Sequence, residues 1–517
     1  MLVSVLSRGP VVQLCVAASL VLAALPAHAN SQDPDRARQQ ATQAGLAEEG
    51  LSDDTLPLEV QAALTAAQLP PTALSALVLE PGGKVRMAYR AGTVRQVGSV
   101  MKLVTTLFAL EQLGPAFHFQ TELLANPAPG PRAGWELALR GGGDPGFRYE
   151  DLLHMLREAQ QRGVTDIVGP VRLDASRFAD ELPAASGIRL DPGRVSGTLP
   201  WALTIDFSAI DVNLPAGGPG PLLADPPITV RYAESAARSG ARCAADWPDA
   251  LTLDVLPSDA LPAGVDRHFP GRQPVAMPPD SARLLLQGTW ASDCPAAHLL
   301  RSPLTPQGQF EAELNAAWRA LGHPGRLHTE LALAPSYASV QVLRASRPLA
   351  ELIRDANKFS NNLMARTLLL DAAAEAGDLP AHVADGERRV RAWLAVHGLY
   401  FPELHIENGA GLSHSEVLTP AHLGMLLRLG LESPASPEFM ASLPIPGQDG
   451  TLKTRYAELP GGARLRLKSG SLDGVRALAG YWLEGSRGAS VVVFILNDPA
   501  ADRGTPVFEA LLHSLAR

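Results

Sequence analysis

The sequence predicts an α/β fold, an antiparallel sheet flanked by helices, interrupted by a long β-rich stretch. Three observations carry this prediction. Arg464 to Leu467, Ala477 to Leu483 and Ala489 to Leu496 read as three strands joined by Gly/Ser/Arg turns into an antiparallel meander. Ser99 to Leu113 is apolar around most of a helical circumference, as a deeply buried helix requires. Between about residues 119 and 304, short apolar segments alternate with Pro/Gly-rich turns.

The chain has 517 residues, too many for one core, which implies two or three domains. Its 46% hydrophobic and 19% charged residues are those of a globular protein. A formal net charge of -9 leaves no basic stripe for phosphates, which argues against a nucleic-acid partner. Lysine occurs only at 84, 102, 358, 453 and 468, so a motif containing one is informative.

Residues 1–29 read as a signal peptide: Arg8, an apolar run from Val11 to Leu25, then Ala27-His28-Ala29 before a cleavage point. No later stretch is long and apolar enough to span a membrane, so an exported, periplasmic protein is expected. Residues 30–52 are polar, without a sustained apolar face, and read as a flexible lead-in.

Ala73 to Leu79 reads as a buried strand, Pro81-Gly82-Gly83 as its turn and Val85 to Tyr89 as its hairpin partner. The helix from Ser99 stops at Gly114-Pro115. Trp135 to Arg140 and Ile167 to Leu173 read as strands around a helix from Tyr149 to Arg162. Helical patterns return at 309–321 and from Pro348 to Ala376, and a last helix runs from Val507 to Leu515 with Pro506 at its first turn. Cys243 and Cys294 remain in the mature chain; export favours a disulfide between them, with two free thiols as the alternative. No pattern of metal ligands or of a cofactor cradle is apparent.

Ser99-Val100-Met101-Lys102 carries the chemistry. Residues three apart on a helix share a face, so hydroxyl and amine are neighbours. Burial lowers a lysine pKa, and a neutral amine can take the Ser99 proton. Ser360-Asn361-Asn362 interrupts the helical pattern after Pro348, where a hydroxyl and an amide can point into one cleft. Ser360 could relay a proton and Asn362 could orient Lys102 or hold a substrate carbonyl; capping of the following helix by Ser360 is the alternative. Lys468-Ser469-Gly470 ends the first strand of the meander, where a strand can pair with an extended substrate. Lys468 offers charge for a carboxylate, Ser469 a hydroxyl, and Gly470 room for close approach.

In this order the three motifs resemble the S-x-x-K, S-x-N and K-[ST]-G signature of penicillin-binding proteins and serine β-lactamases. Leu139 to Pro145 with its Gly-Gly-Gly-Asp-Pro, Asn408-Gly409-Ala410-Gly411-Leu412-Ser413 and Gly447 to Leu452 narrow the resemblance to the low-molecular-mass class C proteins, the S13-type D-Ala-D-Ala carboxypeptidases. The resemblance covers the chain from about residue 70 onward. Ser469 stands where Thr is usual, and Asn408 where the related segment has Asp.

The resemblance implies a transpeptidase-like domain in two parts, 53–118 and 305–517, with an inserted β-rich region at 119–304. It implies hydrolysis of peptidoglycan stem peptides or cross-links through an acyl-enzyme at Ser99, without cofactor or metal, and β-lactam antibiotics as inhibitors. Lys102 serves as base, Ser360 and Asn362 assist, and Lys468, Ser469, Gly470 and the N–H of Ser471 hold the substrate. Alternatives are a serine β-lactamase or an inactive wall-binding protein. A fast β-lactamase needs a carboxylate or Tyr to activate the deacylating water. Glu311 to Asn315 matches an E-x-x-L-N string but precedes the Ser360 motif, and Glu407 lacks that context.

Overall fold

The computed structural model describes residues 55–515 except 131–133, 180–194, 218–221, 226–229, 233–242, 244–246, 248–250, 257–282 and 289–292. The expected signal peptide and the lead-in at 30–52 lie outside the described residues.

The meander forms and gains two strands from the other end of the chain. Leu465–Leu472, Val475–Leu483 and Ala489–Asn497 pair antiparallel in sequence order; Leu74–Leu79 then joins Ala489–Asn497, and Val85–Tyr89 closes the edge. Leu74 lies opposite Leu496 and Leu79 opposite Val491. Successive side chains of a strand point to opposite faces. Leu77 and Leu79 therefore pack with the helices Lys102–Leu113 and Pro420–Glu432, while Leu74, Ala76 and Val78 pack with Leu58–Ala66 and Thr505–Leu515. A strand covered on both sides has no polar alternation, which is why Leu74–Leu79 is buried throughout and polar only at Ser75, whose hydroxyl donates to the Arg90 carbonyl and accepts from Arg95.

Residues 120–345 build their own sheets and cores. One five-stranded sheet runs in the order Thr329–Leu331, Val171–Asp174, Trp135–Arg140, Gln120–Pro127, Val340–Ala345. Two three-stranded sheets follow, one with Ile210–Leu214 at its centre and one with Arg283–Gln287. Cys243 and Cys294 are bonded in the core beside the latter two, so the free-thiol alternative falls. Helix Pro306–Ala320 buries Phe310, Leu314, Ala317 and Trp318 against the five-stranded sheet. On that packing we propose Ala345, in place of the expected 304, as the end of the inserted region.

Two local expectations also change. Lys468-Ser469-Gly470 lies inside the strand Leu465–Leu472, not at its end. The helical pattern from Pro348 divides into Leu349–Lys358 and Asn362–Glu375, with Ser360 at φ +55° in the break. Among the described residues no helix is long and apolar enough to cross a membrane.

Candidate active site

Gly98–Met101 is a 3-10 turn that runs directly into the helix Lys102–Leu113. From residue 97 to 110 every position is buried except Ser99, which is partly exposed. The turn thus presents one hydroxyl at the mouth of an apolar wall. It is held from two sides. A Cβ on Gly470 would stand 2.6 Å from the Val97 carbonyl, and one on Gly411 would stand 1.9 Å from that of Gly98. Gly470 is thereby required for packing of the strand on the Ser99 turn, a reason other than the substrate access expected from sequence.

Lys102 is fully buried. Its Nζ donates to Asn362 Oδ1 at 2.7 Å and to the Ala410 carbonyl at 2.5 Å, and lies 3.1 Å from Ser99 Oγ. Burial, and then the charge of Lys468, hold its pKa well below the usual lysine range, while the Glu416 carboxylate pulls the other way. A neutral amine has two N–H groups and one lone pair. With the N–H groups on Asn362 and Ala410, the lone pair is left for the Ser99 hydroxyl.

Lys468 is also fully buried and donates to Ser360 Oγ and to the Ser469 carbonyl, each at 2.8 Å. Burial brings its pKa down to about 7. An ammonium has a third donor, which suits a substrate carboxylate. Ser360 therefore does not cap the helix that follows. Asn361 does, accepting from Met364 N at 3.0 Å, and the left-handed backbone of Ser360 accompanies its contact with Lys468. Ser471, next along the strand, is exposed.

The glycine-rich segments find different places. In the segment from 447 to 452, Asp449 pairs with the buried Lys358 at 2.6 Å and Thr451 bonds Ser469 Oγ at 2.8 Å. This ties the end of helix Leu349–Lys358 to the strand of Lys468. The segment from 408 to 413 supplies the Ala410 carbonyl, and Asn408 Oδ1 accepts from Ala410 N at 2.9 Å and Leu412 N at 3.3 Å. An amide oxygen accepts as a carboxylate oxygen does, so the loop keeps its turn without Asp at 408. The segment from 141 to 145 lies instead against helix Asn362–Glu375. A Cβ on Gly143 would stand 2.0 Å from Asp371 Oδ1.

Other candidates stand apart. Glu311 bonds Thr329 N and Oγ1, Glu313 accepts from Gln309, and Asn315 bonds the backbone of Leu327, all within the inserted region's own core. The E-x-x-L-N string is thus a set of buried structural polar groups. Three contributors carry no sequence motif that would have marked them: Glu416, Thr105 and Lys358. Lysine scarcity was a usable signal for the last, since three of the five lysines cluster here. The inserted region also reaches the cleft: Asn362 Nδ2 donates to the Ser196 carbonyl at 3.4 Å and Arg366 to that of Thr198 at 2.8 Å.

Comparison with known proteins bears on the family and the fold. The family described as "D-Ala-D-Ala carboxypeptidase 3 (S13) family" matches residues 59–509. The D-alanyl-D-alanine carboxypeptidase DacB of Haemophilus influenzae is 26% identical over 407 residues, 78% of this chain and 80% of that protein. A D-alanyl-D-alanine carboxypeptidase of an Actinomadura species is 27% identical over 443 residues, 81% of this chain and 76% of that one. In three dimensions, the crystal structure of penicillin binding protein 4 from Haemophilus influenzae superposes with a TM-score of 0.69 at 21% identity, covering 89% of this chain and 99% of that one, which establishes the fold. With most of its length matched, the chain belongs to the D-Ala-D-Ala carboxypeptidase 3 (S13) family of serine peptidases.

Proposed function

We propose that Ser99 is the nucleophile that cleaves peptidoglycan peptides ending in, or cross-linked through, D-Ala. The observation that carries this is the buried Lys102 Nζ 3.1 Å from Ser99 Oγ, the only partly exposed group of an otherwise buried turn. Lys102 takes the Ser99 proton as Oγ bonds the carbonyl carbon of the penultimate D-Ala. The N–H groups of Ser99 and Ser471 receive the oxyanion. The proton returns through Ser360 to the leaving amine as the C–N bond breaks, and water then hydrolyses the ester. Lys468 and Ser469 bind the terminal carboxylate, and Asn362 keeps Lys102 in place. No step uses a metal or an organic cofactor. Such a substrate lies outside the cytoplasmic membrane, so the reading carries an exported, periplasmic enzyme with it.

A β-lactam presents a strained amide and a carboxylate to the same groups, and penicillin is expected to acylate Ser99. A structure of penicillin binding protein 4 from Haemophilus influenzae is described as complexed with a novel β-lactam. The site brings no E-x-x-L-N glutamate to the ester, which favours a slowly hydrolysed adduct. Intact-mass measurement should find one penicilloyl group on the wild type that persists for minutes, and none on a folded Ser99→Ala variant. The wild type should release D-Ala from a peptide ending in D-Ala-D-Ala. Labelling of Ser99→Ala would refute the nucleophile; rapid penicillin turnover without D-Ala release would make the protein a β-lactamase.

A further inference from the structure

We propose that Glu416 is a positioning residue for acylation: its buried carboxylate binds the peptide N–H groups on both sides of Ala410 and so aims the carbonyl that orients Lys102 toward Ser99. This rests on the reading of Lys102 as the base.

The geometry is closed on every side. Glu416 is fully buried. Its Oε1 accepts from the backbone N–H groups of Glu407 (3.1 Å), Asn408 (2.9 Å) and Gly409 (2.7 Å), and its Oε2 from Gly411 (2.7 Å). Four donors converge on one carboxyl group. That is the surrounding of an anion, since bonds from N–H groups favour the charged form. Burial alone acts against it and pushes the Glu416 pKa up.

Gly409 N and Gly411 N flank Ala410. The Ala410 carbonyl and the Gly411 N–H belong to one planar peptide and point in opposite directions, so the bond from Gly411 N to Glu416 turns that carbonyl toward Lys102 Nζ, while the bond from Gly409 N anchors the preceding peptide. Thr105 Oγ1, one turn along the Lys102 helix, donates to the Gly409 carbonyl at 2.6 Å and ties the same loop to the same helix. If the loop relaxed, one N–H of Lys102 would lose its acceptor and the lone pair would no longer be confined to Ser99.

Charge gives a second line. The charged groups facing the Lys102 amine are Lys468 from the strand and Glu416 from behind the loop; Asn362 and Ser99 are neutral. Glu416 is thus the counter-charge that keeps Lys102 basic enough to take a proton. Asn408, where the resembling segment has Asp, leaves its Nδ2 without a partner among the described residues. A carboxylate absent from the loop at 408 is present beneath it at 416.

The test is the rate of acylation by a fluorescent penicillin between about pH 5 and 9, with the folded fraction checked by circular dichroism. Glu416→Gln keeps shape but removes the charge and places an NH2 group among donors. Its plateau rate should fall about tenfold, the scale of one lost hydrogen bond. Its acidic limb should move to lower pH, because Lys102 loses the charge that raises its pKa. Thr105→Val should slow acylation while leaving that limb in place. Asn408→Asp added to Glu416→Gln should return the limb toward the wild-type position. A folded Glu416→Gln with unchanged limb and a rate within about twofold of wild type overturns the proposal. If that variant does not fold, the double variant decides: acylation with the wild-type limb supports the role, and a folded but inert protein refutes it. A wild type that is not acylated at all removes the Ser99 reading itself, and this inference with it.

Discussion

Two regions of this molecule bury ionisable groups, and they do so with opposite signs. In the cleft, Lys102 and Lys468 are fully buried amines with carbonyl, amide and hydroxyl acceptors but, among the described residues, no ion pair. Where the inserted region meets helix Asn362–Glu375, Asp144 and Asp371 are buried carboxyls, and Arg177 reaches Asp371 at 2.8 Å and Glu375 at 2.6 Å. Burial pushes Asp371 well up and Asp144 to about 6, with Arg177 opposing the shift at Asp371. In both places desolvation disfavours charge. At the junction an arginine offsets it and the outcome is adhesion between two parts of the chain. In the cleft it is left uncompensated at Lys468 and only partly opposed by Glu416 at Lys102, and the outcome is two amines held below the usual lysine range, that of Lys468 at about 7. A buried charge supports structure when it is paired and chemistry when it is not.

Removing Lys102 is the strongest way to sharpen this contrast. Lys102→Ala should retain the fold and slow penicillin acylation at least about a hundredfold, the scale of a lost general base. Stopped-flow acylation rates check it, and an unchanged rate would remove the amine from the chemistry and the contrast with it.

The junction should respond in stability instead. Arg177→Ala leaves Asp371 without its cation, and destabilisation of roughly 2 kcal/mol is expected in urea unfolding. That is less than a broken buried pair usually costs, because Asp371 can protonate. Adding Asp371→Asn should recover part of the loss. An Arg177→Ala protein of normal stability but lost acylation would break the comparison, since the junction would then belong to the catalytic machinery.

The smallest effect is the pH dependence of substrate capture. The Lys468 pKa is lowered to about 7, so the free enzyme loses the positive charge as pH rises through that value. The sign is fixed: only the protonated form attracts the substrate carboxylate. kcat/KM for a D-Ala-D-Ala peptide should therefore fall, by up to about tenfold per pH unit on the alkaline side. kcat should vary less, since a bound carboxylate holds the ammonium. A kcat/KM that stays level through neutral and alkaline pH would show Lys468 fully charged despite its burial.

The sequence by itself determined whatever depends on neighbours along the chain. Ser99 and Lys102 meet because they are three residues apart on one helical turn, and that fact needs no tertiary structure. The meander, the strand Leu74–Leu79 and the buried helix were legible because their apolar residues recur at strand or helix spacing between Gly, Ser and Pro turns. Tertiary structure decided the rest, because the remaining contacts join residues far apart in sequence. Lys102 finds Asn362 and Ala410 at separations of 260 and 308 residues. No local pattern could have said that Asn361 caps the helix and frees Ser360 for Lys468. Nor could one have said that Gly470 is a packing glycine, or that helix Pro306–Ala320 packs on the five-stranded sheet. Glu416 was the least legible of all. A carboxylate whose partners are four backbone N–H groups leaves no side-chain motif, because any sequence supplies those donors and only the path of the loop brings them together.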